Sequence, residues 1–192
     1  MATKNKVENV TFGKPKVSGA IYTAPIGTKL PTSASEELDA AFLNLGYVSE
    51  DGVKNSVEID SEGVKAWGGD NVATAFNGKT DQFSYTLIET LRPEVLKEVY
   101  GGENVSGTLD SGIAVNSNQL ELEEHVIVID QIFRGGVLSR HVIPRAKVTA
   151  IDEITYADSD LVGYGLTMDA FPDEEGNTHY QYMVKKAASA TA

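Results

Sequence analysis

Val126-Ile127-Val128-Ile129 is a run of four β-branched apolar residues, and it constrains the fold more than any other stretch of the chain. Within Leu120–Phe133, Glu121, Glu123 and His125 fall on one side of an extended chain, but residues 126–129 are apolar on both sides. Such a strand is solvated at its start and must be covered on both faces further along, by a helix, a second sheet or another subunit. Gly135-Gly136 follows between Phe133-Arg134 and Val137-Leu138, a two-residue hairpin turn in which both positions tolerate positive φ. The return strand, Val137–Ala150, contains Pro144, which donates no ladder hydrogen bond and so marks an edge or a bulge.

Other segments join this hairpin. Phe83–Ile88 alternates, and Val162, Tyr164, Leu166, Met168 and Ala170 face away from Gly163, Gly165, Thr167 and Asp169. Further strands are expected at Ile151–Tyr156 and Thr178–Val184, with weaker signals at Val48 and Val57–Ile59. Two short helices are expected. One starts from the capping-box spacing of Ser33 and Glu36 and carries Leu38, Ala41, Phe42 and Leu45 on one face up to Gly46. The other spans Thr90–Tyr100, with Pro93 in its first turn and Gly101-Gly102 at its end. The reading is a mainly β fold, a β-sandwich or partly open barrel, mostly antiparallel, with two short flanking α-helices. It forms a single domain over residues 1–184, an arm and first-strand region over 1–31, and a disordered tail over 185–192.

Composition removes several function classes. With no cysteine, the chain has no disulfide framework, thiol nucleophile or thiolate metal site. No apolar run approaches the ~18 residues that span a bilayer, and the first residues form no apolar leader, so a soluble protein without a secretory signal and without membrane insertion is expected. Acidic residues number 28 against 16 basic, a formal charge of −12, which argues against ordinary phosphate-neutralising nucleic-acid binding. The charge is uneven. Lys4, Lys6, Lys14 and Lys16 oppose only Glu8 in the first 16 residues, so a basic arm precedes an acidic body.

Catalytic and binding motifs are not supported. Gly78-Lys79-Thr80 resembles the end of a phosphate loop, but Ala73 stands where its first glycine is required. Asp158, Asp160, Gly163 and Asp169 have partial calcium-loop spacing, but Val162 occupies a ligand position. His125, His141 and His179 fall on different strands with no paired spacing. No catalytic residue, cofactor or metal is expected, and the chain is read as non-enzymatic.

The segment between the strands at Asn55–Asp60 and Phe83–Glu89, residues 60–82, reads as a long inter-strand loop. It exceeds the ~12–15 residues at which a structureless connection becomes suspect. It carries the only tryptophan, Trp67, beside Gly68-Gly69. Either this loop folds back on its own domain or it lies in a groove on a neighbour, since large aromatics are enriched in interface cores.

Several segments in order, VTFGKPKVSGAIYTAPIGTKLP (residues 10–31), NLGYVSEDGV (44–53), KAWGGD (65–70), TLIETLRPEVLKEVYGGENV (86–105), VIPRAKVT (142–149) and GNTHYQY (176–182), give the chain its resemblance to a known family. It resembles the major tail proteins, or tail tube proteins, of long-tailed siphophages of Gram-positive hosts. The resemblance implies a structural virion protein that self-assembles into stacked hexameric rings. These form the tail tube, an acidic-lined channel for DNA passage at genome ejection, with assembly in the host cytoplasm. Implied partners are further copies of the chain, the tail initiator or baseplate, the tape-measure protein and the tail terminator, with transient non-adhesive contact with DNA. Candidate subunit-interface residues are Lys65, Ala66, Trp67, Gly68, Gly69, Val72 and Phe76, together with Lys4, Lys6, Lys14 and Lys16. Candidate acidic residues of the channel are Glu121 and Glu123. A capsid-associated or decoration protein is the alternative, and a carbohydrate-binding module a weaker one.

Overall fold

The computed structural model describes residues 4–16 and 19–185. In chain order its elements are β1 (Lys14–Pro15), β2 (Ile21–Pro25), β3 (Leu43–Asn44), β4 (Val48–Lys65), β5 (Asn71–Leu87), α1 (Pro93–Tyr100), β6 (Val105–Thr108), β7 (Gly112–Val115), β8 (His125–Phe133), β9 (Val137–Ile151), β10 (Tyr164–Ala170) and β11 (Tyr180–Lys185). Nine of the strands form one antiparallel sheet in the order β3-β2-β8-β9-β10-β5-β4, with β1 added to β8 and β11 to β9. β6 and β7 form a separate hairpin. The main sheet does not close into a barrel. The tail expected over 185–192 lies outside the described residues except for Lys185, which ends β11.

β8 is covered on both faces, as its sequence requires: Val126, Ile127, Val128 and Ile129 are each at most 1% exposed. Ile127 and Ile129 join the main core with Ile21, Phe83, Leu87, Ile143, Leu166 and Met168. The opposite face, with Asp130, lies under the chain between β2 and β3, where Pro31 and Ala34 are buried. The β8–β9 turn has three residues, Arg134–Gly136, rather than the two expected, because Phe133 pairs with Val137; Gly135 and Gly136 have φ of 76° and 75°, where only glycine is unstrained. Pro144 sits in a bulge: Ile143 pairs with Ile127 and Ala146 with His125, so two β9 residues oppose one on β8. On the other side of β9, β11 pairs with Val137–Val142 and β10 with Ala146–Ile151. The missing N–H of Pro144 falls in the gap where one partner strand gives way to the next.

One of the two expected helices forms. α1 begins at Pro93 rather than Thr90, because Arg92 precedes a proline and is held extended, and Gly101, at φ 91°, ends it. Its Val95, Leu96 and Val99 pack into the core, whereas Leu91, outside the helix, is exposed. The helix expected from Ser33 to Leu45 is absent, and turns replace it up to β3. Tertiary contacts override the capping box here. The Arg140 guanidinium donates from Nη1 to the carbonyls of Ser33 (3.1 Å) and Glu36 (2.8 Å), acceptors a helix would have used for its own ladder. Glu36 Oε2 instead accepts from the Thr32 N–H (2.7 Å), and Asp39 Oδ1 accepts from the Ala41 N–H (2.9 Å). Arg140 is itself 1% exposed and bound through Nε and Nη2 to both oxygens of buried Asp130 (2.6 and 2.8 Å). The strand expected over Ile151–Tyr156 does not form: β9 ends at Ile151, and after the Asp152 N–H donates to the Gly165 carbonyl (2.9 Å) the chain leaves the sheet.

Candidate assembly surface

Residues 60–82 do not form a loop. They are the outer part of a β-hairpin in which β4 has 18 residues and β5 has 17, paired continuously from Val53↔Tyr85 to Lys65↔Asn71 apart from two register shifts. The earlier expectation failed because polar and glycine residues here mark a solvated two-stranded ribbon rather than a break in structure. From Asp81 to Asn71 the ribbon projects about 33 Å at ~3.3 Å per residue. At its tip the Ala66 N–H donates to the Asp70 carbonyl (2.8 Å), and Gly68 and Gly69 adopt φ of 115° and 98°.

The register gives the arm two chemically distinct faces. Phe83 and Tyr85 point into the core, and on the same side the arm carries Val57 opposite Asp81, Ile59 opposite Lys79 and Ser61 opposite Phe76. The apolar row of the core therefore continues beyond it, with Val57, Ile59 and Phe76 exposed by 44%, 66% and 68%. Glu58, Asp60 and Glu62 alternate with these residues and occupy the opposite face. That face continues inward as Gln82, Ser84 and Thr86 of β5 and Thr167 and Asp169 of β10, a polar surface across several strands. Trp67 at the tip is fully exposed. β4 also leaves its outer edge unpaired in the described sheet.

A buried acid fastens the arm where it leaves the body. Asp81 accepts from Asn55 Nδ2 (2.7 Å) on the facing strand, and from Thr178 Oγ1 (2.5 Å) and His179 Nδ1 (2.6 Å) just before β11. Burial would raise its pKa, but these hydrogen bonds from Thr178, Asn55 and His179 outweigh that and hold the carboxyl below its ordinary value. The His179 ring meets Phe83 edge-on at 5.2 Å. The His141 ring lies 5.8 Å from that of His179, tilted by 43°, and burial together with His179 lowers its pKa. His125 lies elsewhere, with Nε2 2.7 Å from Oε1 of buried Glu98, a close ionic contact whose angle falls short of an aligned hydrogen bond. Burial alone would lower the His125 pKa, but Glu98 outweighs it and raises the net value.

The residues expected at interfaces are therefore spread over the molecule. Lys65, Ala66, Trp67, Gly68, Gly69 and Val72 gather at the arm tip, and Phe76 lies further down its apolar face. Lys4 is exposed and Lys6 sits 3.6 Å from Glu8. Lys14 lies in β1, opposite Ile132. Lys16 is bound within the chain, its Nζ 3.1 Å from Asp130 Oδ2. Glu121 and Glu123 precede β8 rather than forming part of it, and Glu121 pairs with Lys147. Val57, Ile59 and the acidic stripe opposite them were not singled out from sequence, although their strict alternation over residues 57–62 is the signal that marks them.

Among the described residues no cluster of three or more His, Cys, Asp or Glu side chains is disposed to hold a metal ion, and no helix is long and apolar enough to cross a membrane. No curated protein matches the chain. A family profile described as phage tail tube protein matches residues 16–192, nearly the whole chain. The chain accordingly belongs to the phage tail tube protein family, whose members are structural components of the virion tail and not enzymes.

Proposed function

We propose that the chain is the repeating subunit of a siphophage tail tube: copies close into hexameric rings, the rings stack, and their sheets surround a channel through which DNA passes. The arm carries this reading. A projecting ribbon with a bare apolar face and an unpaired outer strand is an aggregation hazard unless another copy covers it. Trp67 alone offers ~150–250 Å², an upper estimate of roughly 4–6 kcal/mol at ~25 cal/mol per Å² if fully buried. The outer part of the polar face, bearing Glu58, Asp60 and Glu62 beyond Lys54 and the Asp169–Lys147 pair, is the candidate channel wall, because fixed carboxylates repel the phosphate backbone and let DNA slide without binding. Glu58, Asp60 and Glu62 form no ion pair among the described residues and so replace Glu121, whose charge Lys147 offsets, as the better acidic candidates.

The tail initiator, tape-measure and terminator proteins would start, measure and end the stack. Electron microscopy of the purified protein at high concentration tests the proposal: rings or hollow tubes are expected. A chain that stays monomeric at every protein and salt concentration refutes it. Binding to capsids without self-polymerisation would favour a decoration protein instead.

A further inference from the structure

We infer that Trp67 of one copy docks into a groove on the body of a second copy, joining subunits head to tail. This rests on the tube reading and specifies its contact. The groove, about 620 Å³, lies between α1, the end of β2 with β3, and the segment leading into β8. Ile26, Leu43, Tyr100, Leu120 and Leu122 contribute its apolar lining. Ile26 (51%), Leu43 (48%) and Leu120 (63%) are large apolar residues left bare there.

The topology forbids this contact within one chain. Four antiparallel steps, β2 to β8 to β9 to β10 to β5, give β2 and β5 the same direction. The groove lies at the carboxyl end of β2, whereas Trp67 precedes the amino end of β5. The registers place Pro25 level with His125, Ala146, Ala170 and hence Asp81, ten residues along β5 from Asn71, so the two are separated along the strands by about 33 Å at ~3.3 Å per residue. They are also offset across the sheet by four strand spacings, about 19 Å at ~4.8 Å each. A donor at one corner and an acceptor at the opposite corner make a heterologous contact, which generates rings or open stacks rather than closed dimers.

The chemistry of the two surfaces is complementary. The groove carries the carboxylates of Glu103 and Glu123 and the ammonium of Lys97, none of which forms an ion pair among the described residues. The tip brings Lys65 to face the groove carboxylates and Asp70 to face Lys97, beside an indole whose N–H can only donate. The flanking Gly68 and Gly69 present no side chains to obstruct entry.

The chain has no cysteine, so two engineered thiols can report the contact without background. Ala66→Cys, beside an intact Trp67, and Leu120→Cys, both at exposed positions, are mixed, assembled and oxidised. A disulfide-linked heterodimer is expected, and the chain carrying both substitutions should give a ladder of covalent oligomers. Ala66→Cys paired with the exposed Leu161→Cys should give none. In the unsubstituted protein, emission from the single tryptophan should shift to the blue on assembly. Trp67→Ala should raise the concentration needed for assembly at least about 30-fold, as for an interface hot spot. Particles that form without cross-linking to position 120, or with unshifted emission, overturn the docking and leave the tube reading standing. Failure to form particles under any condition overturns both.

Discussion

Asp130→Ala tests how the second face of the sheet is held closed. In the native chain both Asp130 oxygens engage the Arg140 guanidinium, at 2.6 and 2.8 Å, and both residues are at most 2% exposed. Removing the carboxylate strands a buried cation, a change that typically costs about 3–5 kcal/mol. Arg140 retains its bonds to the Ser33 and Glu36 carbonyls, so the lower part of that range is expected. For a chain of this size each kcal/mol moves the melting temperature by about 2–4 °C, which puts the loss near 6–12 °C. Arg140→Met should cost more, because it leaves the two carbonyls without their donor at about 1–3 kcal/mol each and leaves the buried Asp130 carboxylate with Lys16 as its remaining cation. Urea unfolding at unchanged m-value measures both effects. Amide exchange over residues 33–42 separates them, with protection falling further in Arg140→Met. A loss below about 1 kcal/mol for Asp130→Ala, or unchanged exchange over that segment in Arg140→Met, would refute the idea that the buried pair clamps the β2–β3 connection.

Other expectations follow from the same geometry. Replacing Val57, Ile59 and Phe76 together by Thr keeps strand-forming residues on the exposed arm; monomer stability should stay within about 0.5 kcal/mol per site while tube formation is lost, as read by unfolding and negative-stain imaging. Because the folded His125 pKa is raised above its ordinary 6.5, the Glu98 contact stabilises fully below that pH and its contribution fades as pH rises through the higher folded value; His125→Gln should flatten this slope in pH-dependent melting curves. Asp81 is the opposite case: its lowered pKa gives stability present above its ordinary 3.8 and lost as pH falls through the lower folded value, and Asp81→Asn should remove that acid limb and speed amide exchange at the arm root. Ile127→Ala, at a site with no exposure, should cost about 2–5 kcal/mol by denaturant unfolding.

Period and turn chemistry made the sheet centre legible. Four consecutive apolar β-branched residues demanded cover on both faces, paired glycines marked a hairpin and Pro144 marked a bulge, all features set by local sterics. Ser33–Leu45 misled because its capping signal and apolar spacing are real, yet they are outcompeted by a guanidinium more than a hundred positions away. No local pattern could reveal that contact. Residues 60–82 misled for a different reason: a ribbon with solvent on both faces needs no hydrophobic alternation to remain paired, so strand character was legible only up to the strand expected at Asn55–Asp60. Trp67 was recognised as anomalous from composition alone, but the distance between it and the groove depends on strand order, which sequence did not supply. The carboxylates at Glu58, Asp60 and Glu62 were visible throughout; what gave them a common face was the register with β5.

Pro144 has a mechanical consequence. By interrupting β9 between its two partners, it lets β11 approach separately from β10, and the turn before β11 places Thr178 and His179 against Asp81. The arm is thus a cantilever clamped at one end. A load applied at Trp67 reaches its root as torque, shared by the β5–β10 ladder and by one buried carboxylate with its three donors, so the stiffness of the arm is set in the interior of the body rather than at its tip.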